Sequence, residues 1–348
     1  MIRYSIHSQI CPREPKTRLR CALVVAAVTV VAAIAGCGGR QSTLNPAGEG
    51  ADVLAVLFWW MAISGVVIWL VVVGLFAYAC FIRPAAMDRR RAVKLIIGGG
   101  AVFPTVVLTG LLAYGLSLLP ELQRPAPNGS LEVEVTGVQW WWRVRYPDSD
   151  HPSGWVETAN EIVLPVDQSV QFRLLSEDVI HSFWIPSLGG KTDMIPGRIN
   201  EMKLQPNRLA DLRGVCAEYC GESHALMAFD VKVLDSDAFA KWLTHQRADA
   251  QPARTELQQQ GQRLFLASGC GACHALRGTS ASGIFGPDLT HLGSRASIAA
   301  GILPNDREHL MQWIAQPDRH KPGVKMPSYE FLTETELAAI VAYLQELR

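Results

Sequence analysis

Two apolar runs, residues 53–82 and 95–119, stand out in the first third of the chain. About 20 apolar residues in a helix suffice to cross a bilayer, so the sequence predicts a two-helix transmembrane hairpin over residues 51–120. The loop between the runs is basic and contains Arg83, Arg89, Arg90, Arg91 and Lys94. By the positive-inside rule this loop lies in the cytoplasm, and everything after the second run is expected outside.

A third apolar stretch, residues 21–35, follows a basic segment and ends in small residues before Cys37. This order is typical of an export signal. Its ending resembles a bacterial lipoprotein signal, which implies a signal peptide over residues 1–36 and lipidation of Cys37. An ordinary signal or an uncleaved anchor is the alternative.

Short alternating stretches replace the apolar runs after residue 130. They occupy residues 131–135, 161–164, 170–174 and 228–233 and are separated by Pro, Gly and Asp. Alternation with period two is typical of half-buried strands. The sequence therefore predicts a small all-β domain over residues 128–245.

A polar stretch, residues 246–254, reads as a linker, and helical periodicity returns after it. The predicted helices cover residues 255–267, 308–315 and 333–347. The last begins with Thr333, followed three residues later by Glu336, which is capping-box spacing. An all-α domain is thus expected over residues 255–348.

Composition adds little beyond the membrane prediction. The chain of 348 residues is 49% hydrophobic with a mean hydropathy of +0.14, and its 32 basic and 32 acidic residues balance. The chain therefore lacks the excess of basic residues that would indicate a nucleic-acid partner. Four of the eight cysteines form two close pairs, Cys216 with Cys220 and Cys270 with Cys273, a spacing that favours metal or haem over structural disulfides.

The stretch 216–227 carries soft ligands at close spacing: Cys216, Cys220, His224 and Met227. Thiolate, imidazole and thioether together suit copper in electron transfer. A mononuclear copper site of this kind needs only one cysteine. The second cysteine allows both sulfurs to bridge two copper ions. The remote ligand is expected from His181, in a loop after a strand; a lone histidine there would by itself read as a packed or surface residue.

These residues resemble the CuA domain of cytochrome c oxidase subunit II, from about residue 52 to residue 243. The resemblance implies a cupredoxin-like sandwich in which Cys216 and Cys220 bridge the coppers. It also implies that His181 and His224 ligate one copper each, that Met227 is a weak ligand, and that Glu218 supplies its backbone carbonyl. The Glu218 side chain would reach a Mg²⁺ ion shared with subunit I.

Other segments match the same family. Trp140, the first of three adjacent tryptophans, matches the aromatic cluster through which electrons reach CuA, with simple packing as the alternative. Asp193 and Arg198 would lie against subunit I, or form ordinary loop salt bridges. One departure concerns protons: Ile97 stands where the family often has the Glu of a proton route.

The second cysteine pair is followed at once by His274, which makes a Cys-x-x-Cys-His box. Such a box binds haem c through two thioethers and an iron-ligating histidine. A zinc or thioredoxin-like role for the pair is the alternative. The distal ligand is predicted at Met326, with Met311 as a competitor expected to be packed in a helix.

The stretch 286–289 resembles the turn of class I cytochromes c whose proline carbonyl orients the proximal histidine, which would make Pro287 the orienting residue. The remaining histidines of the region, His291, His309 and His320, are expected to face solvent.

The resemblance implies subunit II of a haem-copper oxidase in a bacterial cell membrane, with both cofactor domains on the periplasmic side. Electrons would run from haem c to CuA to subunit I, where O₂ is reduced to water with proton translocation. Expected partners are subunit I, subunit III, a cytochrome c-type donor and membrane lipid. The alternatives are the electron-accepting subunit of a CuA-containing nitric oxide reductase, or a membrane-tethered electron shuttle or copper-delivery protein.

Overall fold

A computed structural model describes residues 38–82, 87–151 and 153–348. The predicted signal peptide over residues 1–36 and the lipidation site Cys37 lie outside the described residues, as does Arg83.

Among the described residues, two helical runs are long and apolar enough to span a bilayer, Glu49–Ile82 and Arg89–Leu122. Their most apolar 18-residue windows have mean hydropathies of 2.6 and 2.0. The first consists of α1 (Glu49–Ala77) and a π-helical turn, Tyr78–Ile82. The second consists of α2 (Arg89–Ile97), a π-helical turn (Gly98–Val102) and α3 (Phe103–Leu122). The predicted hairpin is therefore confirmed as a pair of apolar helices, each longer than its apolar run.

Ten strands follow in the middle of the chain. They are β1 (Leu131–Val138), β2 (Trp141–Pro147), β3 (Trp155–Ala159), β4 (Glu161–Pro165), β5 (Val170–Ser176), β6 (His181–Trp184), β7 (Lys191–Met194), β8 (Asn200–Leu204), β9 (Ala210–Cys216) and β10 (Ala228–Leu234). They form two five-stranded sheets with the orders β3-β2-β1-β5-β8 and β4-β10-β9-β6-β7. The four predicted stretches became β1, β4, β5 and β10.

The two sheets pack face to face around an apolar core. Its largest fully buried side chains include Trp142, Tyr146, Phe172, Phe183 and Phe229. Alternate residues of the longer strands contribute to this core, such as Val170, Phe172 and Leu174 of β5, as expected for a sandwich of two half-buried sheets. The fold is the predicted cupredoxin-like sandwich.

A helix that was not predicted, α4 (Ser236–Arg247), begins directly after β10. Asp235 caps it by accepting a hydrogen bond from the Ala238 N–H at 2.8 Å. It ends inside the predicted linker, so the irregular connection to the next domain starts at residue 248.

The C-terminal part is helical and contains one short hairpin. Its elements are α5 (Glu256–Ala267), α6 (Cys270–Cys273), β11 (Ser297–Ile298), β12 (Leu303–Pro304), α7 (Arg307–Ala315), α8 (Pro317–His320) and α9 (Glu334–Glu346). The capping box at Thr333 and Glu336 is confirmed, and Thr255 with Gln258 forms a second one at the start of α5. Helices α5 and α9 cross closely at Gly261, where a Cβ atom would lie 1.9 Å from the Ala339 carbonyl oxygen.

The helical domain is docked against the β domain. Hydrogen bonds from β-domain residues join the two: Ala228 N to Ala300 O (3.1 Å), Arg213 Nη1 to Gly301 O (2.5 Å) and Arg143 Nη2 to Ile284 O (2.6 Å). Further contacts run the other way, from Arg277 Nη1 to Glu157 O at 3.4 Å and from the Ser297 hydroxyl to Asp230. Hydrogen bonds that involve the backbone of each domain therefore hold this interface together.

Candidate metal and haem sites

The loop between β9 and β10 gathers the predicted copper ligands. Cys216 is the last residue of β9, and its N–H donates to the Met227 carbonyl at 2.9 Å, which closes the loop at its base. A 3-10 turn, His224–Leu226, brings the imidazole back toward the thiols. The twelve consecutive residues 216–227 thus form a compact loop in which the predicted copper ligands lie close together.

The distances within this cluster suit a shared metal centre. The two thiol sulfurs of Cys216 and Cys220 lie 3.7 Å apart. Around them, His181 Nδ1 is 3.9 Å from Cys216 Sγ, His224 Nδ1 is 3.6 Å from Cys220 Sγ, and Met227 Sδ is 3.8 Å from Cys220 Sγ. The Glu218 carbonyl oxygen lies 3.2 Å from Cys216 Sγ.

His181 reaches the cluster from the neighbouring strand rather than from a loop. It is the first residue of β6, which pairs with β9 through Phe183 and Cys216. Gly137 makes room for its ring, since a Cβ there would lie 2.7 Å from His181 Cδ2. Strand pairing therefore joins two parts of the chain that the sequence separates by 35 residues.

Asp178 orients the buried His181 ring. Its Oδ1 lies 2.9 Å from His181 Nε2, and its Oδ2 accepts from the Gln139 N–H at 2.7 Å. Burial opposes the charge on His181, but the hydrogen bonds to Asp178 and Cys216 raise its pKa. A carboxylate on the far nitrogen leaves Nδ1 free for a metal, which is the usual arrangement behind a metal-bound histidine. Sequence reasoning missed Asp178, although its position three residues before His181 was a usable signal.

The two thiols shift each other's pKa in opposite directions. A hydrogen bond from Cys220 lowers the pKa of Cys216, and the same hydrogen bond, together with burial, raises the pKa of Cys220. Two sulfurs in contact inside a buried site favour replacement of the thiol protons by a metal cation, because metal ligation requires thiolates.

The three adjacent tryptophans have different environments. Trp142 is fully buried in the sandwich core. Trp140 is 7% exposed, and its Nε1 donates to the Cys220 carbonyl at 3.0 Å. Trp141 lies under the Arg143 guanidinium, 5.0 Å from ring centroid to Cζ. Of the three indoles, that of Trp140 donates to the cysteine loop, and its role in electron entry stays a prediction.

The predicted interface residues lie on the surface. The side chains of Glu218, Asp193 and Arg198 are exposed. Asp193 accepts a hydrogen bond through its backbone oxygen from Asn200 Nδ2 at 2.7 Å. Ile97 is 54% exposed at the end of α2.

The predicted haem-binding box lines a cavity of about 710 Å³ between the helical domain and the β domain. The predicted haem ligands all border it: Cys270, Cys273, His274 and Met326. Its other walls are largely apolar and include Phe265, Leu310, Trp313 and Ile340. Met311 is absent from these walls; it lies on α7, partly buried against the domain core, as predicted.

The His274 ring is held by the turn at residues 286–289. Its Nδ1 lies 2.7 Å from the Pro287 carbonyl oxygen. Gly286 packs so closely that a Cβ there would lie 2.5 Å from His274 Cε1. Burial lowers the pKa of His274, so the ring stays neutral with Nε2 available for iron, the protonation state that a metal ligand needs.

The expectation for His291 was wrong. The side chain is 3% exposed, and its Nε2 lies 3.1 Å from the Ala248 carbonyl oxygen. Its ring also packs against that of His245 at 4.7 Å. The reason is tertiary, because the connection after α4 folds back over this part of the helical domain.

The β domain supplies one side of the same cavity. Its contributions include Trp140, Trp141, Arg143, Arg145 and Asn160. Lys321, from the helical domain, also lines the cavity and is 2% exposed. Burial lowers the pKa of Lys321 to about 7. Nothing in its sequence context marked this lysine as buried.

Comparisons with known proteins agree with this arrangement. Residues 149–234 match the family model "Cytochrome C oxidase subunit II, periplasmic domain", and residues 258–348 match "Cytochrome c". Together these two families imply a copper site and a haem c. The crystal structure of the periplasmic domain of subunit II of cytochrome oxidase from Bradyrhizobium japonicum is 33% identical, covers 34% of this chain and 94% of that chain, and gives a TM-score of 0.32.

Two curated relatives extend the match, one of them over nearly its full length. The chain is 37% identical to cytochrome c oxidase subunit 2 of Alkalihalophilus pseudofirmus over 64% of this chain and 62% of that protein. It is 31% identical to cytochrome c oxidase subunit 2 of Bacillus subtilis over 94% of this chain and 97% of that protein. The chain belongs to the cytochrome c oxidase subunit 2 family and carries a C-terminal cytochrome c domain.

Proposed function

We propose that this chain accepts electrons at a haem c, passes them through a binuclear copper centre and delivers them to oxidase subunit I, where O₂ is reduced to water with proton pumping. The observation that carries the proposal is the position of Trp140. Its indole contacts the copper loop at Cys220, and the same residue lines the haem cavity.

The residues of the β domain fit a copper pair. Cys216 and Cys220 would bridge the ions, and His181 and His224 would each present Nδ1. Met227 and the Glu218 carbonyl would complete the set as weak ligands. Sulfur and imidazole in a buried, preformed loop suit copper in electron transfer, since ligands that stay in place on oxidation and reduction lower the cost of reorganisation.

The helical domain fits a haem c. Cys270 and Cys273 would carry the thioethers, His274 would bind the iron, and Met326 would be the distal ligand. A largely apolar cavity of about 710 Å³ has the size of a cofactor site. The Pro287 carbonyl holds the His274 ring, and the apolar walls exclude water, which favours a high potential.

The docked arrangement supports relay within the chain over a mobile shuttle. Hydrogen bonds from Arg143, Arg213 and Ala228 fix the helical domain on the β domain. Trp140 is almost fully covered as a result. An external donor would therefore reduce the haem, and the haem would serve the copper centre.

The two apolar helical runs would anchor the chain in a bacterial inner membrane, with both cofactor domains on the periplasmic side and Cys37 as a second, lipid anchor. Subunit III and a cytochrome c-type donor would complete the set of partners. The exposed Glu218 carboxylate would hold Mg²⁺ together with subunit I. The exposed Asp193 and Arg198 would face the same subunit.

Metal analysis of the full-length protein, purified from detergent-solubilised membrane with its partner subunits, tests the proposal. We expect about two coppers at this chain's site for each covalent haem c, from the two bridging thiols, counted apart from the haem and copper of the partner subunit. Oxygen uptake with reduced cytochrome c is expected as well. Cys216→Ser and Cys220→Ser should each remove the copper signal and keep the haem, whereas Cys80→Ser, at an exposed cysteine of the first apolar run, should change neither.

A single copper, or zinc in its place, would contradict the binuclear centre. Consumption of nitric oxide without oxygen uptake would favour the nitric oxide reductase alternative, because the acceptor site lies in the partner subunit.

A further inference from the structure

Lys321 lies at the junction of the two cofactor sites. It follows α8 and precedes Met326 by five residues, and its side chain runs inward along the cavity wall. Its Nζ donates to the Trp140 carbonyl at 2.5 Å and to the Ala299 carbonyl at 3.1 Å. One amino group therefore joins the backbone of the β domain to the backbone of the helical domain.

The energetics of this contact are unusual for a lysine. At 2% exposure the amine has lost nearly all contact with water, and burying a lysine without a compensating partner is costly. No carboxylate forms an ion pair with Lys321 among the described residues. Two neutral carbonyls accept hydrogen bonds from the group, so removing the amine would leave both of them without this donor.

The neighbours of Lys321 dock on the copper loop as well. The Ser223 hydroxyl donates to the Pro322 carbonyl at 2.6 Å, and Ser223 precedes His224. Gly323 has φ +73°, and a Cβ there would lie 2.9 Å from Glu222 Oε2 and 3.1 Å from Trp140 Cη2. The segment 321–323 thus contacts Trp140 from both its backbone side and its ring side.

We propose that Lys321 is a positioning residue for electron transfer: its amine pins the Trp140 backbone so that the indole keeps its contact with Cys220 while facing the haem cavity. The proposal rests on the proposed function. The residue that sets the position of Trp140 would then belong to the helical domain and lie on the same segment as Met326.

The direct test is Lys321→Met in the full complex, with the rate of electron transfer from photoreduced haem to copper as the readout. Methionine keeps most of the side-chain length and loses the donor. We expect transfer to slow about tenfold, since small displacements of reacting groups cost large factors in rate. The copper EPR signal, the haem absorption spectrum and the KM for reduced cytochrome c should stay unchanged while kcat falls.

Arg319→Met is the matched control. Arg319 is exposed and lies two residues before Lys321. Its replacement removes one positive charge, so this variant reports any long-range effect of charge on the redox potentials of the haem and the copper centre. Its transfer rate should equal that of the wild type. An equal slowing in both variants would overturn the positioning role.

A double-mutant cycle separates positioning from general packing. Trp140→Phe removes the indole N–H, so adding Lys321→Met in that background should slow transfer no further. Fully additive losses would overturn the proposal, as would a changed copper or haem spectrum in Lys321→Met. If that variant fails to assemble, Lys321→Gln takes its place: its side chain is shorter, so it loses the donor at the position of Nζ and should also slow transfer. An unchanged transfer rate in Lys321→Gln would likewise count against the proposal.

Failure of the proposed function has a different signature. A wild-type protein without the binuclear copper signal, or without haem-to-copper transfer, would refute the relay itself. A wild type that transfers electrons normally, with Lys321→Met equally fast, would refute only the role of Lys321.

Discussion

The indole Nε1 of Trp140 donates to the carbonyl oxygen of Cys220 at 3.0 Å, and Gln139 Nε2 donates to the same oxygen at 2.8 Å. Two neighbouring residues of the β1–β2 turn therefore hold the backbone directly after Cys220. Because Trp140 also borders the haem cavity, this contact links the sites of the two cofactors.

Replacing Trp140 by Phe keeps an aromatic ring and removes the hydrogen bond to Cys220. We expect haem-to-copper transfer to slow about tenfold, because the covered contact between the sites is lost. Flash photoreduction of the purified complex measures this rate. Trp155→Phe, on the edge strand β3, is the control and should leave the rate unchanged; equal rates for Trp140→Phe and the wild type would remove Trp140 from the route.

Met326→Leu should change the haem spectrum and leave the copper signal intact. Loss of a thioether ligand lowers the potential of a haem, here by on the order of 0.1 V. Redox titration followed at the haem bands measures the change. Met311→Leu is the matched control, since Met311 is packed on α7 away from the cavity walls. A spectral change in Met311→Leu instead would reassign the distal ligand.

Gly261→Ala should destabilise the helical domain by about 3 kcal/mol, as overpacking of a close contact does. The added Cβ would lie 1.9 Å from the Ala339 carbonyl oxygen, so α5 and α9 must move apart. Thermal unfolding followed at the haem bands reports this loss. Gln259→Ala, at an exposed position of the same helix, should have little effect, and equal stability of the two variants would contradict the crossing seen here.

The ion pair between Arg247 and Asp148 holds α4 on the β domain. We expect the stability of this contact to depend on pH. Burial opposes the Asp148 charge, but hydrogen bonds and the Arg247 charge outweigh it and lower its pKa. Asp148 is 5% exposed, and Arg247 Nε lies 2.5 Å from its Oδ2. Since the Arg247 side chain is 41% exposed, we expect Arg247→Met to cost only about 1–2 kcal/mol at neutral pH.

The direction of this pH dependence follows from the lowered pKa of Asp148. The pair contributes fully above the unfolded pKa of Asp, about 3.9, and its contribution is lost as pH falls through the lower folded value. The difference between the wild type and Arg247→Met should therefore shrink below about pH 4. Hydrogen exchange of the α4 amides measures it. Lys241→Met, exposed on the same helix, should show no such pH dependence.

The fold class could be predicted because its signals are local. Apolar runs of sufficient length, period-two alternation and a capping box at Thr333 all act within a few residues. Strands without clear alternation, such as β6 and β7, and helix α4 were not predicted. Such short strands, at the sheet edge (β7) or next to it (β6), take their conformation from the partner strand, which no local pattern reveals.

The sequence by itself determined which residue types form the two candidate sites, since Cys216 to Met227 and Cys270 to His274 are contiguous and their spacing carries the chemistry. Only the tertiary structure decided how these sites are completed and joined. Strand pairing brings His181 to Cys216 across 35 residues, and domain docking brings Lys321 to Trp140 across 181. Such contacts depend on how whole sheets and domains pack, a cooperative property that residue spacing does not encode.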